Sequence, residues 1–548
     1  MSFPRLTFTL LLAAVALTAC AAPGDDDASP SDAALQARIE DALGEWNAST
    51  PGAVAVVTRN GRIVAQHAAG MANLEHAAPI TIDTVFHAAS DAKRFTAAAV
   101  CRLVERGQLR FDDRVSEHLP EVALGEQITI EQLLNHASGL RDQWSLLAMA
   151  GWQSADLVTH EQVLALIARQ QSTNFAPGER QSYCNSGYTL LAEIVARVTG
   201  EPFHEFVQRE FFEPAGMTRT HLRASALAVV PDRAESYVRD EAGGFRRQLV
   251  QYEVLGATAL LTTARDLARW IEAVHDGTAL THSELEELLR PRQLPDGEPM
   301  TYVFGLFEHD LHGHRAVGHG GADGGFRSYF LRIPEKRLGV IVLANNPEVE
   351  PNALSHDIAG WALGIEPPPE PAASNDDAPE SPDLDTLLGS YRGVRGRLVT
   401  VRPWFDNLRL WEGDEFADFS WSADDGVFVD PDERTIDCDA EQCRLTAVSG
   451  GWVGQRVAPP TPESLAEYVG TYRSAELEAA YTVSMQGSRL VARSTRGTTF
   501  ELTPGGRDFF DGSAWFTNEI RFLRTASGRV RGMSLSSSRA YDVHFARE

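Results

Sequence analysis

At residues 90–100 the chain reads Ser90-Asp91-Ala92-Lys93-Arg94-Phe95-Thr96-Ala97-Ala98-Ala99-Val100. The apolar residues that continue to position 104, with a glycine at position 107, predict a helix that begins at or just after the serine. On such a helix the side chains of residues 90 and 93 lie on one face and can contact each other. The segment therefore predicts a serine and a lysine together at the positive end of a helix, where developing negative charge is stabilised.

Lys93 is one of only two lysines among the 49 Lys and Arg residues of the chain, the other being Lys336. An arginine supplies the same surface charge, but its guanidinium does not lose its proton in proteins. A lysine retained at position 93 therefore indicates a need for a neutral amine, which burial can provide by lowering the pKa. We interpret Lys93 as a general base for a nucleophilic Ser90. The alternative is a chance spacing, since with ordinary serine usage roughly one lysine in a dozen has a serine three residues before it.

The composition, length and net charge limit the kinds of protein that this chain can be. The 548 residues include 43% hydrophobic and 23% charged residues and carry a formal net charge of −27. This composition is typical of globular proteins, and the length predicts roughly two to four domains. The negative charge argues against nucleic-acid binding and against electrostatic docking on anionic lipid.

The N-terminal residues 1–19 have the features of a signal peptide, because Arg5 precedes an apolar run that ends in small residues. The tetrapeptide Leu17-Thr18-Ala19-Cys20 resembles a bacterial lipobox, which implies cleavage before Cys20 and lipidation of that cysteine. An ordinary secretory signal with an accidental cysteine is the alternative. Residues 20–35 then predict a flexible acidic tether. We expect an exported protein that contacts the membrane only through the lipid anchor.

The next 330 residues or so predict an α/β domain, residues 36–365. A helical pattern at residues 35–46 precedes two strand patterns that flank Asn60-Gly61, a strong hairpin signal. Further strand patterns at residues 327–333 and 338–344 are followed by a helical pattern at residues 353–363. Early and late strands with helical segments between them predict an antiparallel sheet flanked by helices, with a helical insertion.

Residues 366–382 predict a linker, because they contain Pro-Pro-Pro and an acidic run. Short alternating strand patterns follow, and the segment Leu387-Leu388-Gly389-Ser390-Tyr391-Arg392 recurs as Tyr468-Val469-Gly470-Thr471-Tyr472-Arg473. The repeat predicts two units, residues 383–460 and 461–548, each a small antiparallel β-barrel.

The five cysteines have different expected states. Export permits disulfides, and Cys438 and Cys443 lie close enough in sequence to close a small hairpin. Cys101 and Cys184 fall inside apparent helices and motifs. We therefore predict a bond between Cys438 and Cys443, with two free thiols at those positions as the alternative.

Two later motifs complete a resemblance. Tyr183-Cys184-Asn185 and His319-Gly320-Gly321 follow the Ser-x-x-Lys segment in order. Together they resemble the class C β-lactamase and penicillin-binding-protein superfamily of serine hydrolases, whose pattern is Ser-x-x-Lys, Tyr-x-Asn, and Lys-Thr-Gly or His-x-Gly. The resemblance covers roughly residues 36–365. It implies a serine β-lactamase-like fold for this domain.

The resemblance implies a role for each motif residue. Ser90 would be the nucleophile, Lys93 its base, and Tyr183 the group that relays a proton to the leaving group. Asn185 would orient the substrate. The main-chain N–H groups of Ser90 and Ala322 would form the oxyanion hole.

The third motif has its own consequences. Gly320 and Gly321 would let substrate lie close to a strand edge without side chains. His319 stands where β-lactamases place a lysine, and a histidine is mostly neutral at pH 7. A histidine at this position resembles the pattern of D-aminopeptidases and family esterases. That resemblance implies an ester, amide or peptide substrate and no cofactor. The alternatives are D-Ala-D-Ala carboxypeptidase or β-lactamase activity, or a penicillin sensor that does not turn over.

A metal-dependent hydrolase is a further alternative, because four histidines occur within eleven residues: His309, His312, His314 and His319. His312 and His314 would point the same way on a strand. No His-Glu-x-x-His pattern or aspartate cluster completes a site, so no metal is predicted.

Overall fold

The structure, a computed structural model, describes residues 31–365, the strands between residues 389 and 457, and residues 461–548. The predicted signal peptide, Cys20, most of the acidic tether and the predicted linker lie outside the described residues. Among the residues that are described, no helix is long and apolar enough to cross a membrane.

The first described domain is built on a seven-stranded antiparallel sheet in the order β12-β13-β14-β15-β16-β1-β2. Smaller two- and three-stranded sheets accompany it. The strands of this domain are β1 (Ala53–Arg59), β2 (Arg62–Ala69), β3 (Met71–Asn73), β4 (Ala78–Pro79), β5 (Phe86–Ala89), β6 (Val158–Thr159), β7 (His221–Leu222), β8 (Tyr237–Arg239), β9 (Phe245–Arg247), β10 (Tyr252–Glu253), β11 (Leu260–Thr262), β12 (Tyr302–Val303), β13 (Leu306–Leu311), β14 (His314–Asp323), β15 (Phe326–Ile333) and β16 (Leu338–Ala344).

Helices cover both faces of this sheet. The helices are α1 (Asp32–Ala42), α2 (Lys93–Glu105), α3 (Val115–His118), α4 (Ile130–Leu134), α5 (Gln143–Met149), α6 (His160–Ala168), α7 (Asn185–Thr199), α8 (Phe203–Val207), α9 (Ala264–His275), α10 (His282–Leu288), α11 (Pro351–Leu363) and, before the last barrel, α12 (Pro462–Leu465). Successive side chains of a strand point to opposite faces. Ala55 and Val57 of β1 therefore pack with α1 and α11, and Val54 and Val56 pack with the core that contains α2 and α9.

Two closed eight-stranded barrels follow. The strands of barrel 1 are β17 (Gly389–Gly393), β18 (Leu398–Trp404), β19 (Asn407–Glu412), β20 (Glu415–Ser422), β21 (Val427–Val429), β22 (Thr435–Cys438), β23 (Gln442–Thr446) and β24 (Trp452–Val457). The strands of barrel 2 are β25 (Gly470–Ser474), β26 (Ala479–Gln486), β27 (Arg489–Ser494), β28 (Thr499–Gly506), β29 (Phe509–Gly512), β30 (Glu519–Arg524), β31 (Val530–Ser536) and β32 (Val543–Arg547).

The repeat in the sequence corresponds to the first strand of each barrel. Tyr391 lies on β17 and Tyr472 on β25, and both side chains are fully buried. The predicted fold class, an α/β domain with an antiparallel sheet followed by two antiparallel barrels, is confirmed. In barrel 1 a disulfide joins Cys438 to Cys443 between neighbouring strands, while Cys101 and Cys184 are free and buried.

Barrel 2 packs directly on the first domain. Arg141, which is 3% exposed, donates hydrogen bonds to the carboxylate of Glu476 at 3.0 and 3.2 Å. The same guanidinium donates to the carbonyl oxygen of Tyr541 at 2.9 Å. The hydroxyl of Thr498 donates to the carbonyl oxygen of Gly151 at 2.9 Å. These contacts hold one end of barrel 2 against the helical part of the first domain.

Candidate active site

The backbone changes direction sharply at Ala89, directly before Ser90. Strand β5 ends at Ala89, whose φ of 48° lies in the left-handed region that a residue with a Cβ rarely adopts. A single 3₁₀ turn over Ser90–Ala92 then leads into α2 at Lys93. The strained residue thus directs the Ser90 side chain to the surface of a cavity, while Lys93 lies beneath it. Such strain is stored most often at functional sites.

The Lys93 side chain is fully buried and has three polar neighbours. Its Nζ lies 2.8 Å from Asn185 Oδ1, 2.7 Å from the carbonyl oxygen of Ala257 and 3.1 Å from Ser90 Oγ. The amide and carbonyl oxygens can only accept hydrogen bonds, whereas a serine hydroxyl can also donate one. A neutral amine has two N–H groups for the two acceptors and one lone pair for the Ser90 hydroxyl. A neutral Lys93 can therefore satisfy both acceptors and still accept the serine proton.

The electrostatics of the site favour the same form. Burial lowers the pKa of Lys93 to about 7, because the charged form loses its hydration. The carboxylate of Asp142 raises the pKa of Lys93, and the guanidinium of Arg539 lowers it. The result places the pKa of Lys93 near neutral pH, where a general base is most effective.

Asn185 is held rigidly at the start of α7. Its main-chain nitrogen and its Nδ2 both donate to Oδ2 of Asp142, at 2.7 and 2.8 Å. The other carboxylate oxygen of Asp142 accepts from the main-chain nitrogen of Trp144 and so caps α5. Asp142 thus joins the ends of two helices and fixes the amide that contacts Lys93.

Tyr183 lies beside Ser90 and Lys93, and its ring packs on the ring of His136. Its side chain lines the same cavity as Ser90, and its ring centroid lies 4.9 Å from Lys93 Nζ. The imidazole of His136 packs on the Tyr183 ring at 4.3 Å between centroids. Burial raises the pKa of Tyr183 well above its usual value. At neutral pH Tyr183 is therefore a protonated hydroxyl, whereas the pKa of Lys93 lies near that pH.

Strand β14 lies along the opposite side of the nucleophile and explains its glycines. A Cβ on Gly321 would lie 2.1 Å from the carbonyl oxygen of Ala88, a main-chain atom that cannot move aside. Only glycine therefore allows β14 to approach the end of β5 this closely. Gly320, Gly321 and Ala322 all line the same cavity as Ser90.

His319 is buried in the same strand and lies 6.2 Å from Tyr183 between ring centroids. Its Nδ1 is 2.6 Å from the carbonyl oxygen of Gly320, so Nδ1 carries the proton, and Nε2 is 3.4 Å from the Tyr302 hydroxyl. Burial and the proximity of Lys93 lower the pKa of His319 to about 3. The imidazole is therefore neutral at pH 7 and offers no charge to a carboxylate.

The site opens into a cavity of about 1430 Å³ that two domains share. The first domain contributes Ser90, Tyr183, Asn185 and the β14 residues. Barrel 2 contributes the residues Gly497, Thr498, Thr499, Trp515, Phe516 and Arg539. Any substrate that reaches Ser90 therefore contacts or passes barrel 2.

The four clustered histidines do not converge. His309 lies 2.6 Å from His356 between their Nε2 atoms, and His314 contacts Glu335. The expectation that His312 and His314 share a strand face is wrong, because His312 occupies the hairpin turn between β13 and β14 with a φ of 53°. Within the described part of the chain, no group of three or more His, Cys, Asp or Glu side chains is arranged to hold a metal ion.

Comparison with known proteins identifies the first domain. Residues 33–363, more than half of the chain, match the family described as Beta-lactamase. The chain belongs to the beta-lactamase family. Residues 455–547, which contain barrel 2, match a second family, described as Domain of unknown function (DUF3471).

Relatives within the beta-lactamase family include D-aminopeptidases. One from Brucella anthropi is 31% identical over 320 residues, which cover 58% of this chain and 60% of that relative. The chain thus spans about 60% of the length of that relative. One from Brucella ovis (strain ATCC 25840 / 63/290 / NCTC 10512) is 26% identical over 529 residues, covering 91% and 96%. The octameric penicillin-binding protein homologue from Pyrococcus abyssi shares the fold, with a TM-score of 0.55, 22% identity and coverage of 85% and 99%.

The structure brings all the predicted motif residues of this beta-lactamase family member to one cavity. Their individual roles stay predictions. Sequence reasoning missed Asp142, His136, the Ala257 carbonyl and Arg539. Asp142 caps the start of α5, so a helix-capping signal in the sequence could have found it. Arg539 has no local signal, because it reaches the site from another domain.

Proposed function

We propose that the protein is a serine hydrolase that cleaves amides or peptides through an acyl-enzyme on Ser90. The observation that carries this proposal is the coordination of Lys93, whose two acceptor neighbours leave its lone pair for the Ser90 hydroxyl. A buried amine with a pKa of about 7 can accept the proton of the Ser90 hydroxyl and so activate its oxygen as a nucleophile.

The first half of the reaction follows from these contacts. Ser90 Oγ attacks the substrate carbonyl carbon while its proton moves to Lys93 Nζ. The main-chain N–H groups of Ser90 and Ala322 are the candidates to stabilise the negative oxygen that forms. When the carbon–nitrogen bond breaks, the Tyr183 hydroxyl donates its proton to the leaving nitrogen and recovers one from Lys93. The products of this half are a neutral amine and an ester on Ser90.

The second half reverses the proton path. A water molecule attacks the Ser90 ester, and its proton passes through Tyr183 to Lys93. The tetrahedral intermediate then releases the acid, and Ser90 Oγ recovers its proton from Lys93. The enzyme returns to its starting protonation state, which microscopic reversibility requires.

The substrate class is proposed from the relatives and from one acidic side chain. The curated relatives named above are D-aminopeptidases, which directs attention to peptides with an N-terminal D-residue. Asp323 follows Ala322 directly and lines the cavity, with its Oδ2 2.9 Å from His87 Nε2. A carboxylate at this position can bind the ammonium group of an N-terminal residue whose carbonyl lies in the oxyanion hole.

Replacement of the nucleophile tests this function. Ser90→Ala is expected to abolish hydrolysis of D-aminoacyl amides and labelling by a fluorophosphonate, because the covalent step loses its oxygen. Ser154→Ala, which removes an exposed serine from the wall of the same cavity, should leave both intact. A panel of D- and L-aminoacyl amides, simple esters and a penicillin defines the acyl group. Turnover by Ser90→Ala would reject the serine mechanism.

We also propose that the mature protein is an exported lipoprotein. The proposal is supported by the apolar N-terminal segment and by the lipobox-like sequence that ends at Cys20. Expression with a radiolabelled fatty acid should label the wild-type protein but not Cys20→Ala. An unlabelled wild-type protein found free in the medium or periplasm would contradict the lipid anchor.

A further inference from the structure

An arginine from barrel 2 enters the catalytic cavity. Arg539 lies in the loop between β31 and β32, and its side chain lines the cavity beside Ser90 and Tyr183. The guanidinium carbon is 5.1 Å from the centroid of the Tyr183 ring. Arg539 also lowers the pKa values of Lys93, His136 and Tyr183, as a positive charge close to all three would.

The position of Arg539 is fixed by the first domain and not by barrel 2 alone. Its carbonyl oxygen accepts hydrogen bonds from the main-chain nitrogen of Asp142 at 2.9 Å and from Asn174 Nδ2 at 3.1 Å. Asp142 is the residue that holds Asn185. The main chain of the loop is therefore bonded to the residue that holds Asn185, and these hydrogen bonds fix the point from which the Arg539 side chain extends.

No carboxylate of the described residues neutralises the charge of the Arg539 guanidinium. Its side chain has no hydrogen-bond or ion-pair partner among residues 31–365, 461–548 and the described strands between them, and its guanidinium lies over the Tyr183 ring. By comparison, Arg141 of the same interface has its guanidinium bonded to a carboxylate, a hydroxyl and two carbonyl oxygens. An arginine with a planar fork and no partner, facing a cavity, is suited to a carboxylate.

The position of Arg539 in the cavity indicates which part of the substrate lies next to its guanidinium. In the proposed reaction Tyr183 gives its proton to the leaving nitrogen, so the leaving group lies against Tyr183. Arg539 covers the same ring, whereas Asp323 lies at the end of β14 beside the oxyanion-hole residue. The leaving group, and not the acyl group, is therefore next to the guanidinium.

We propose that Arg539 binds a carboxylate on the leaving group and so favours peptides whose residue after the scissile bond carries a free C-terminal carboxylate. This inference rests on the proposed hydrolase function. It names dipeptides with an N-terminal D-residue as the preferred class. Barrel 2 then supplies the cation that the neutral His319 cannot provide.

A matched pair of substrates tests the role of Arg539. D-alanylglycine and D-alanylglycinamide differ only at the C-terminal carboxylate. The wild-type protein should have the higher kcat/KM on the acid, and Arg539→Gln should lower the ratio of acid to amide about tenfold, the effect of losing one charge-assisted hydrogen bond. The change should appear mainly in KM. Arg539→Lys, which keeps the charge, should recover part of the preference.

A second arginine of barrel 2 provides the control. The guanidinium of Arg496 stacks on Trp152 at 3.7 Å and belongs to the same domain contact. Arg496→Gln should keep the wild-type ratio of acid to amide. An unchanged ratio in Arg539→Gln, or an equal fall in both glutamine variants, would overturn the proposal.

Binding measured without turnover separates this proposal from the hydrolase function. Calorimetric titration of Ser90→Ala with the acid and the amide should show tighter binding of the acid, and adding Arg539→Gln should remove the difference. If the wild-type protein cleaves neither peptide but this difference is observed, the hydrolase proposal fails for these peptides and Arg539 keeps its role. If the acid and the amide bind equally to Ser90→Ala, the carboxylate site is wrong whatever the protein hydrolyses.

Discussion

The main-chain nitrogen of Asp142 donates a hydrogen bond of 2.9 Å to the carbonyl oxygen of Arg539, so the first domain and barrel 2 meet at the edge of the catalytic site. The side chain of Asp142 holds Asn185, and Asn185 contacts Lys93. A single acidic residue therefore connects Asn185, and through it Lys93, to barrel 2. Displacement of barrel 2 is expected to change the chemistry at Ser90 as well as the shape of the cavity.

Replacement of the base by arginine separates charge from proton transfer. Lys93→Arg keeps a cation, but a guanidinium cannot accept the Ser90 proton. We expect kcat/KM to fall by about 10²–10⁴-fold, the usual effect of losing a general base. Lys336→Arg is the matched control, because Lys336 lies in an exposed turn far from Lys93 in the sequence. This variant should retain activity. Near-normal rates in Lys93→Arg would show that Lys93 is structural.

The pH dependence of kcat/KM should report Lys93. Only the neutral amine accepts a proton, so activity should rise with pH through a midpoint near 7, the pKa that burial gives Lys93. The pKa of His319 is about 3, so His319 does not titrate in this range.

Two charge variants should move this midpoint in opposite directions. Arg539 lowers the pKa of Lys93, so Arg539→Gln should shift the midpoint to higher pH. Asp142 raises it, so Asp142→Asn should shift the midpoint to lower pH. An amide substrate without a carboxylate is required, because its turnover does not depend on the proposed carboxylate contact. Shifts in the same direction would mean that Lys93 is not the titrating group.

The contact between Arg141 and Glu476 should stabilise the docking of barrel 2. Because both side chains are buried, Glu476→Gln should lower the free energy of unfolding by about 1.5–3 kcal/mol, the contribution of a hydrogen bond to a charged group. The nearby pair of Arg169 and Glu478 is a control, because Glu478 is 68% exposed. Glu478→Gln should change stability by less than about 1 kcal/mol. Equal effects in thermal unfolding would contradict a specific role for Arg141.

The close approach of β14 to β5 gives a prediction for Gly321. Gly321→Ala places a Cβ against the carbonyl oxygen of Ala88, so it should destabilise the protein by about 1–3 kcal/mol and lower activity. Gly360→Ala in helix α11 is the matched control, because its Cβ would lie at ordinary contact distances, 3.7 Å from His312 Nε2 and 3.8 Å from the carbonyl oxygen of Ile365. That variant should be neutral or slightly stabilising, since alanine is the better helix former. An active, stable Gly321→Ala protein would mean that β14 can move away from Ser90.

The sequence predicted the parts of the site that short-range patterns encode. The spacing of Ser90 and Lys93, the hairpin at Asn60-Gly61 and the strand that repeats at Tyr391 and Tyr472 each depend on neighbours in the chain. The structure has each of these elements where the pattern predicts it.

The contacts that sequence reasoning missed are long-range. Ala257 contributes only a main-chain carbonyl, which has no residue-type signature. Arg539 lies 356 residues after Tyr183 and reaches it only because barrel 2 docks on the first domain. The neutrality of His319 follows from its residue type and burial, whereas the presence of Arg539 in the same cavity follows only from the docking of barrel 2.

The central claim, that Lys93 is a neutral base at physiological pH, can be measured directly because the chain has only two lysines. Protein made with ¹³C at the lysine ε-carbon gives two NMR signals, and Lys93→Met assigns them. We expect the Lys93 signal to titrate with a midpoint of about 7. A Lys93 signal that titrates only near the ordinary lysine pKa of about 10.4 would contradict it.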